Sequence, residues 1–282
     1  MSIAYPSAAM GGAPLDLDLI NRATWQRPDT VAVYRRMRGW TDPGEQAAIE
    51  WVADRARAAP ILDIGVGAGR TTALLLPLST DYLGVDYTAE MVEACRRTYP
   101  GARFEHLDAR NLTSLPAGHF GLVVFSFNGI DSVAPQDRRL VLAEVYRVLR
   151  PGGLFVVSAH NRHGPGPGEK PRLDVPWSSN PLRFGWRLMR AVAALPRAVH
   201  NHLRLREANE VHEDWAVMNC GAHGFGLVVV YTSLQEQLRQ LNETGFDVEA
   251  VFDDQRGRPM EEGEDTSAAW WFHYVARKPT LR

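Results

Sequence analysis

The chain has 282 residues, 45% hydrophobic and 23% charged, with a formal net charge of −2. That length carries one α/β core with additions or two small domains, and the near-neutral charge excludes an overall bias toward nucleic acid or acidic surfaces. No apolar run approaches the roughly twenty residues of a membrane span, and the two cysteines, Cys95 and Cys220, have neither metal spacing nor the numbers for a disulfide framework.

Residues 1–14, rich in Ala, Gly, Ser and Pro, read as a poorly ordered tail. Met1 to Gly12 has neither the basic head nor the apolar core of a secretory signal, so a cytoplasmic protein with no membrane contact is expected. Leu15, Leu17, Leu19 and Ile20 lead into Trp25, where Pro28 stops the segment. Asp29 or Thr30 can then cap a helix running through Val33, Tyr34 and Met37. A further helix is expected over Glu45–Ala58.

The stretch Ile61 to Thr72 is an apolar strand ending in an acid, followed by Gly65, Gly67, Gly69 and then Arg70-Thr-Thr72 at the start of a helix. Glycines straight after a strand let the backbone turn with positive φ and let a ligand come close. The dinucleotide fingerprint places its third glycine one residue later, and Asp63 would repel a pyrophosphate. A ligand with a cationic end would instead be attracted. Tyr82 to Asp86 is a second strand ending in an acid, and Thr88 to Tyr99 a helix. Ala102 to His106 is a third strand with Asp108-Ala109-Arg110 behind it, and Phe120 to Phe127 a fourth, apolar nearly throughout. Arg138 to Leu149 is an amphipathic helix stopped by Pro151-Gly-Gly153, and Leu154 to Ala159 is the fifth strand.

In this order and spacing the chain resembles the class I S-adenosylmethionine-dependent methyltransferases of small-molecule type. Their first motif is hydrophobic-x-Asp-x-Gly-x-Gly-x-Gly, and Arg147 to Gly153 reads Arg-Val-Leu-Arg-Pro-Gly-Gly, also typical of them. The resemblance is close over Ile61 to Asn161 and loose toward the C-terminus. It implies a Rossmann-like three-layer sandwich with a seven-stranded, mostly parallel sheet whose last strand is antiparallel, a helical cap before it and an insertion after the fifth strand. It also implies S-adenosylmethionine as cofactor, S-adenosylhomocysteine as product and no metal. Cofactor-binding roles fall on Asp63, Gly65, Gly67 and Gly69 of the loop, and Thr71 is a plausible contact behind it. Asp86 would take the ribose hydroxyls, since one carboxylate accepts two hydrogen bonds from a cis-diol. Tyr87 and Met91 would lie against the adenine ring, and Asp108, Ala109 and Arg110 sit where the family's acid meets the adenine amino group. Ser126 and Phe127 leave the fourth strand beside the transferable methyl, and Tyr34 would close the pocket from the cap, although packing accounts for it equally.

Asn128 and Asp131 are the first polar groups expected on the acceptor side, with Asn128-Gly129 also readable as a plain turn. The Asn-Pro-Pro-Tyr run that orients an amine in other subgroups is missing, which disfavours a nucleobase or protein-amide nitrogen. His160 and His163 follow the fifth strand, and His160 is the candidate general base for a hydroxyl acceptor.

An insertion opens at Gly164-Pro-Gly-Pro-Gly168, with helices expected over Leu182–Leu195 and Val199–Glu207. Arg183, Arg187, Arg190, Arg197, Arg204 and Arg206 make it basic, which would draw an anionic acceptor or acidic partner, or is only a solvated face. Without aromatic interleaving no nucleic-acid partner is expected. Val211–Val217 and Phe225–Tyr231 read as strands. Ser233 caps a helix through Leu241, and strands over Gly245–Phe252 and Ala268–Arg277 complete the sheet. His223, Tyr231, Glu213 and His273 are further candidates for the acceptor pocket. The expected division is a tail and cap over 1–44, a cofactor core over 45–160, a substrate region over 161–225 and sheet completion over 226–282. The expected protein, a monomer or homodimer, methylates O or N of a small molecule, as in secondary metabolism. The alternatives are the same fold used for other chemistry or for binding alone, and beyond them a tRNA or protein methyltransferase.

Overall fold

The structure, a computed structural model, describes residues 16–280; the tail expected over 1–14 lies outside the described residues. Helices α1 (Leu17–Trp25), α2 (Pro28–Arg36) and α3 (Pro43–Ala56) precede β1 (Ile61–Ile64). Then come α4 (Thr72–Leu75), β2 (Tyr82–Asp86), α5 (Ala89–Thr98), β3 (Arg103–His106), β4 (Phe120–Phe125), α6 (Arg138–Val148) and β5 (Leu149–His160). The insertion holds α7 (Pro181–Leu205), β6 (Glu210–Val211), β7 (Trp215–Cys220), a four-residue turn α8 (Ala222–Phe225) and β8 (Leu227–Thr232). The chain returns through α9 (Leu234–Thr244), β9 (Asp247–Asp253) and β10 (Trp271–Arg277).

Seven strands form one sheet in the order β3-β2-β1-β4-β5-β10-β9. β10 runs antiparallel to both of its neighbours and the other pairings are parallel. This is the expected Rossmann-like architecture. β1, β2 and β4 are buried along their whole length, as apolar strands covered on both faces must be. One face packs Leu62, Val123, Phe155 and Phe272 against Val141 and Val145 of α6 and Leu241 of α9. The other packs Ile61, Val124 and Val156 against Ala48 and Val52 of α3 and Val92 and Cys95 of α5. Three layers result, with strand order reversing at β1 and β4, the crevice where ligands of open α/β sheets bind. Among the described residues no helix is long and apolar enough to cross a membrane.

Several expectations need correction. The helices expected over Leu182–Leu195 and Val199–Glu207 are one, α7, which passes through Pro196. Helix α2 begins at Pro28, with no side-chain cap from Asp29 or Thr30, because proline's fixed φ and missing N–H suit the first helical position. Helix α3 begins at Pro43, capped by Asp42, whose Oδ1 accepts from the Glu45 amide at 2.8 Å. Most consequentially, β8 does not complete the main sheet. It pairs antiparallel with β7 in a separate sheet ordered β6-β7-β8, so the inserted unit runs to Thr232 and not to residue 225. An isolated parallel bridge between Asn161 and Thr232 fastens both ends of the insertion to the end of β5.

Candidate functional site

A cavity of about 240 Å³ opens at the carboxyl ends of β1, β2 and β4. Its floor is the loop after β1. Gly65 (φ +61°) and Gly67 (φ +57°) are left-handed, and a Cβ would lie 2.7 Å from the Phe125 ring at the first and 3.2 Å from the Tyr34 ring at the second. Only glycine gives both the turn and the close approach. Gly69 does not line the cavity; a Cβ there would stand 2.5 Å from the Tyr99 ring, so it serves packing against α5.

Asp63 is not in the cavity either. Its Oδ2 accepts from the Thr71 hydroxyl at 2.6 Å and from the Tyr82 hydroxyl at 2.7 Å, so the acid expected to attract a cationic ligand braces the glycine loop from behind. Burial pushes its carboxyl up to about 6, against the hydrogen bonds from Thr71 and Tyr82. Arg70, at the mouth of the next helix, does not stand free for a ligand carboxylate. It is buried in a paired contact with Glu45 (2.5 and 2.7 Å), donates to the Ser126 hydroxyl at 2.9 Å and lies over the Phe127 ring at 4.6 Å. The arginine binds α3, the loop and the end of β4 into one unit.

Asp86 ends β2 inside the cavity, its two oxygens oriented by the amides of Gly67 and Thr88, each at 2.9 Å. Each oxygen keeps a second acceptor site, and burial raises the carboxyl to about 6. Tyr87 and Met91 line the same wall. Arg22 of α1 lies over the Tyr87 ring at 4.4 Å and donates to its carbonyl. Asp108, Ala109 and Arg110 form the next edge, where Arg110 grips the Asp108 carboxylate at 2.6 and 3.0 Å. Burial opposes ionisation of Asp108, and the guanidinium overrides it, holding the carboxyl below its usual range.

Beyond β4 the chain is strained. Phe127 (φ +53°) and Asn128 (φ +61°) are non-glycine residues in the left-handed region, as is His223 (φ +52°) across the cavity, and all three line it. Such strain is held only where surrounding structure enforces it, and it gathers at functional sites. The Asn128 amide donates to Ser158 Oγ at 2.7 Å, and its side-chain Oδ1 is buried without a partner. Asn128 Nδ2 lies 3.3 Å from His160 Nε2. On the far side of that ring, His160 Nδ1 is 2.9 Å from Asp131 Oδ2, which also accepts from the His160 amide at 2.6 Å. Asp131 is fully buried outside the cavity and its other oxygen accepts from Arg138 at 2.8 Å. A carboxylate at Nδ1 fixes the tautomer with its proton there, so Nε2 is the acceptor for Asn128 Nδ2 on a ring that lines the cavity.

The remaining wall was not legible as a site. Trp25 of α1, Cys220, Ala222 and His223 at the end of β7 and in α8, Leu227 and Val229 of β8, and Trp271 of β10 all line the cavity. Tyr34 stacks on His223 at 5.8 Å and meets Trp25 edge-on at 5.7 Å. Of the further candidates only His223 is among the lining residues. Tyr231 sits behind the His160 ring at 5.1 Å, and Glu213 is exposed. His273 is buried against Asp42 at 3.0 Å, linked through Asp42 to the Trp271 indole. Buried Asn21 joins the cap to the insertion, bonding the Val228 carbonyl at 2.8 Å and the Val228 amide at 3.0 Å. Among the described residues no His, Cys, Asp and Glu cluster fits a metal ion.

The profile of a family described as a methyltransferase domain matches residues 61–153. A probable S-adenosylmethionine-dependent methyltransferase from Mycolicibacterium smegmatis is 32% identical over 44% of this chain and 46% of its own. An O-methyltransferase from Pyrenophora dematioidea is 30% identical over 55% of this chain and 62% of its own. The chain thus spans about half to under two thirds of these curated relatives. The fold is similar to that of the 1,6-didemethyltoxoflavin-N1-methyltransferase from Burkholderia thailandensis, solved with 1,6-didemethyltoxoflavin and S-adenosylhomocysteine, at TM-score 0.57 and 18% identity, covering 97% of this chain and 94% of that one.

The family's cofactor is S-adenosylmethionine, and the donor set suits it: a buried, backbone-oriented carboxylate with spare acceptor sites stands beside a loop that admits no Cβ, with no phosphate-binding cation free on the floor. The matched segment coincides with the strands that build this half of the cavity, so over residues 61–153 the chain is similar to the methyltransferase domain, on a Rossmann-like fold that S-adenosylmethionine-dependent methyltransferases share.

Proposed function

We propose that the protein methylates a hydroxyl oxygen of a small, planar, largely apolar molecule, with His160 as general base. The observation that carries this reading is the Asp131–His160 pair, with Nδ1 engaged at 2.9 Å, Nε2 against Asn128 Nδ2 at 3.3 Å, and both His160 and Asn128 among the residues that line the cavity with Asp86. Bound S-adenosylmethionine supplies an electrophilic methyl on a sulfonium, so the protein's task is distance, angle and, for a hydroxyl, proton removal. Asp86 would hold the ribose hydroxyls, Met91 and Tyr87 the adenine face, and the backbone of Gly65 and Gly67 the approach to the rest. The acceptor hydroxyl displaces Asn128 Nδ2 from His160 Nε2, which then takes its proton, and buried Asp131 stabilises the imidazolium that forms. Asn128 Oδ1, without a partner inside the protein, is free to accept a hydrogen bond from the substrate. The aromatic side chains of Trp25, Tyr34, Phe127 and Trp271 favour a flat substrate over a flexible polar one. The Pyrenophora dematioidea relative, named an O-methyltransferase, supports oxygen as the acceptor. The size of the insertion, which supplies one wall of the cavity, supports a role in secondary metabolism.

The test is turnover of purified protein with S-adenosylmethionine and a panel of phenols, enols and ring-nitrogen heterocycles, read as product mass. An O-methylated product whose formation collapses in His160→Gln, with unchanged cofactor binding, is expected. N-methylation indifferent to His160 would overturn the assignment. Failure to bind either S-adenosylmethionine or S-adenosylhomocysteine would leave a non-catalytic scaffold.

A further inference from the structure

Helix α7 runs 25 residues, about 37 Å, and only one side of it touches the protein. Leu205 at its C-terminal end is buried with Val217 and Val228. Asn201 donates to the Gly224 carbonyl, and His202 lies 3.0 Å from Asn219. Phe184, Ala191, Leu195 and Ala198 continue that inner side as half-buried residues. The outer side is the reverse of what an ordinary solvent-facing helix shows. Leu182 is 85% exposed, Trp186 55% and Met189 61%, and Val192, Val199 and Leu203 follow on the same face. Trp177, 80% exposed, joins them at the N-terminal end, where Arg187 holds the Pro176 and Trp177 carbonyls.

Along one flank of this ridge Arg183, Arg190, Arg197 and Arg204 recur at every seventh residue, about two turns apart, all exposed. No Asp or Glu lies between Pro181 and Arg206 in a chain whose overall charge is −2. Arg197 pairs with Asp29, while Arg183, Arg190 and Arg204 have no acidic partner among the described residues. Arg190 lies 4.6 Å over the Trp186 ring, at the seam between the apolar ridge and the basic flank.

We infer that this face is a docking surface for an anionic lipid bilayer, on which α7 lies in the plane of the headgroups with Trp186, Leu182 and Met189 inserted and the arginine row against lipid phosphates. A long ridge of Trp, Leu and Met flanked by unpaired arginines is the pattern that binds such an interface, by apolar burial together with attraction to anionic headgroups. The charge argues against a second copy of the chain. A two-fold contact through the same ridge would bring two acid-free arginine rows of like sign together. The helix does not span the bilayer, and the inference is independent of the acceptor proposed above.

The experiment is sedimentation of the full chain, with S-adenosylhomocysteine present, against phosphatidylcholine vesicles with and without phosphatidylglycerol. Binding is expected only to the phosphatidylglycerol vesicles, weakened but not abolished by salt. Replacing Arg183, Arg190 and Arg204 together by Gln should weaken it on the order of a hundredfold. The pair Trp186→Ser and Met189→Ser should cost on the order of tenfold or more. All these side chains are exposed, and a retained thermal shift with S-adenosylhomocysteine would verify the fold. No binding to anionic vesicles, or binding by both variants as tight as that of the unmodified chain, would overturn the inference. Loss of binding in the arginine variant alone would also overturn it, pointing to an acidic protein instead. So would self-association that disappears with Trp186→Ser.

Discussion

The two walls of the cavity are built on opposite plans. The wall from β1, β2 and β4 has strands buried on both faces and charged groups consumed in fixing one loop: Arg70 on Glu45 and Asp63 on Thr71 and Tyr82, with Asp86 facing inward without a charged partner among the described residues. The opposite wall, from α1, β7, α8 and β8, is a small sheet and a strained turn hung on a helix with an apolar outer face. A shared cofactor needs one fixed geometry, whereas an individual acceptor needs a wall free to differ. Variants on the first wall should therefore change cofactor affinity, and variants on the second the handling of the acceptor.

The largest effect is expected where the walls meet. His160→Gln should lower kcat by about two to four orders of magnitude while leaving the affinity for S-adenosylhomocysteine unchanged by calorimetry. A small loss would mean the acceptor reaches the cavity already as a nucleophile. Next, Asp86→Ala on the first wall should weaken cofactor binding by about 3 kcal/mol, on the order of a hundredfold, from the loss of two hydrogen bonds to a charged acceptor. Far-ultraviolet circular dichroism should be unchanged, and normal cofactor affinity would remove the ribose assignment.

On the second wall, Asn219→Ala should cost about 1–3 kcal/mol of stability, measured by thermal unfolding. It strips the Phe225 and Leu227 carbonyls of their buried donor at 2.9 and 2.8 Å. The turn carrying His223 should loosen, so KM for the acceptor rises while cofactor affinity holds. A fall in cofactor affinity of the same size would show that the walls are not independent.

The smallest effect concerns pH. Burial raises the Asp86 carboxyl from its ordinary 3.8 to about 6, so the folded, ligand-free protein holds that proton more tightly than the unfolded chain. Its contribution to ligand-free stability is therefore complete below about 4 and is lost as pH rises through about 6. A ribose diol needs the ionised acid. Cofactor affinity should accordingly fall as pH drops below about 6, by at most about tenfold per unit, and Asp86→Asn should flatten the dependence. A dependence that survives in Asp86→Asn would assign it to Asp63, whose carboxyl is raised over the same range.

Much of this contrast was legible before any coordinates. The alternation of apolar strand, punctuating glycines and amphipathic helix from Ile61 to Ala159 is local information, and it located the sheet's first five strands along the chain, while their place in a Rossmann-like sheet was what the family resemblance implied. Of the residues to which the resemblance gave cofactor roles, Gly65, Gly67, Asp86, Tyr87, Met91, Asp108 and Phe127 are brought together around one cavity. The same pattern misjudged Asp63 and Gly69, because a strand-end acid and a loop glycine look alike whether they face a ligand or the packing behind it. Tertiary structure decided which: Tyr82 and Tyr99, brought up from β2 and the end of α5, occupy those sides. It also decided the acceptor half. Asn21 reaches Val228 across 207 residues of sequence, and β8 pairs with β7 rather than with the main sheet. Such contacts depend on which distant surfaces bury each other, and residue periodicity carries no record of that. The sequence by itself thus determined the fold and the side on which a cofactor would lie. The pairing of remote segments decided the shape of the acceptor wall, the engagement of His160 by Asp131, and the exposure of the apolar face of α7.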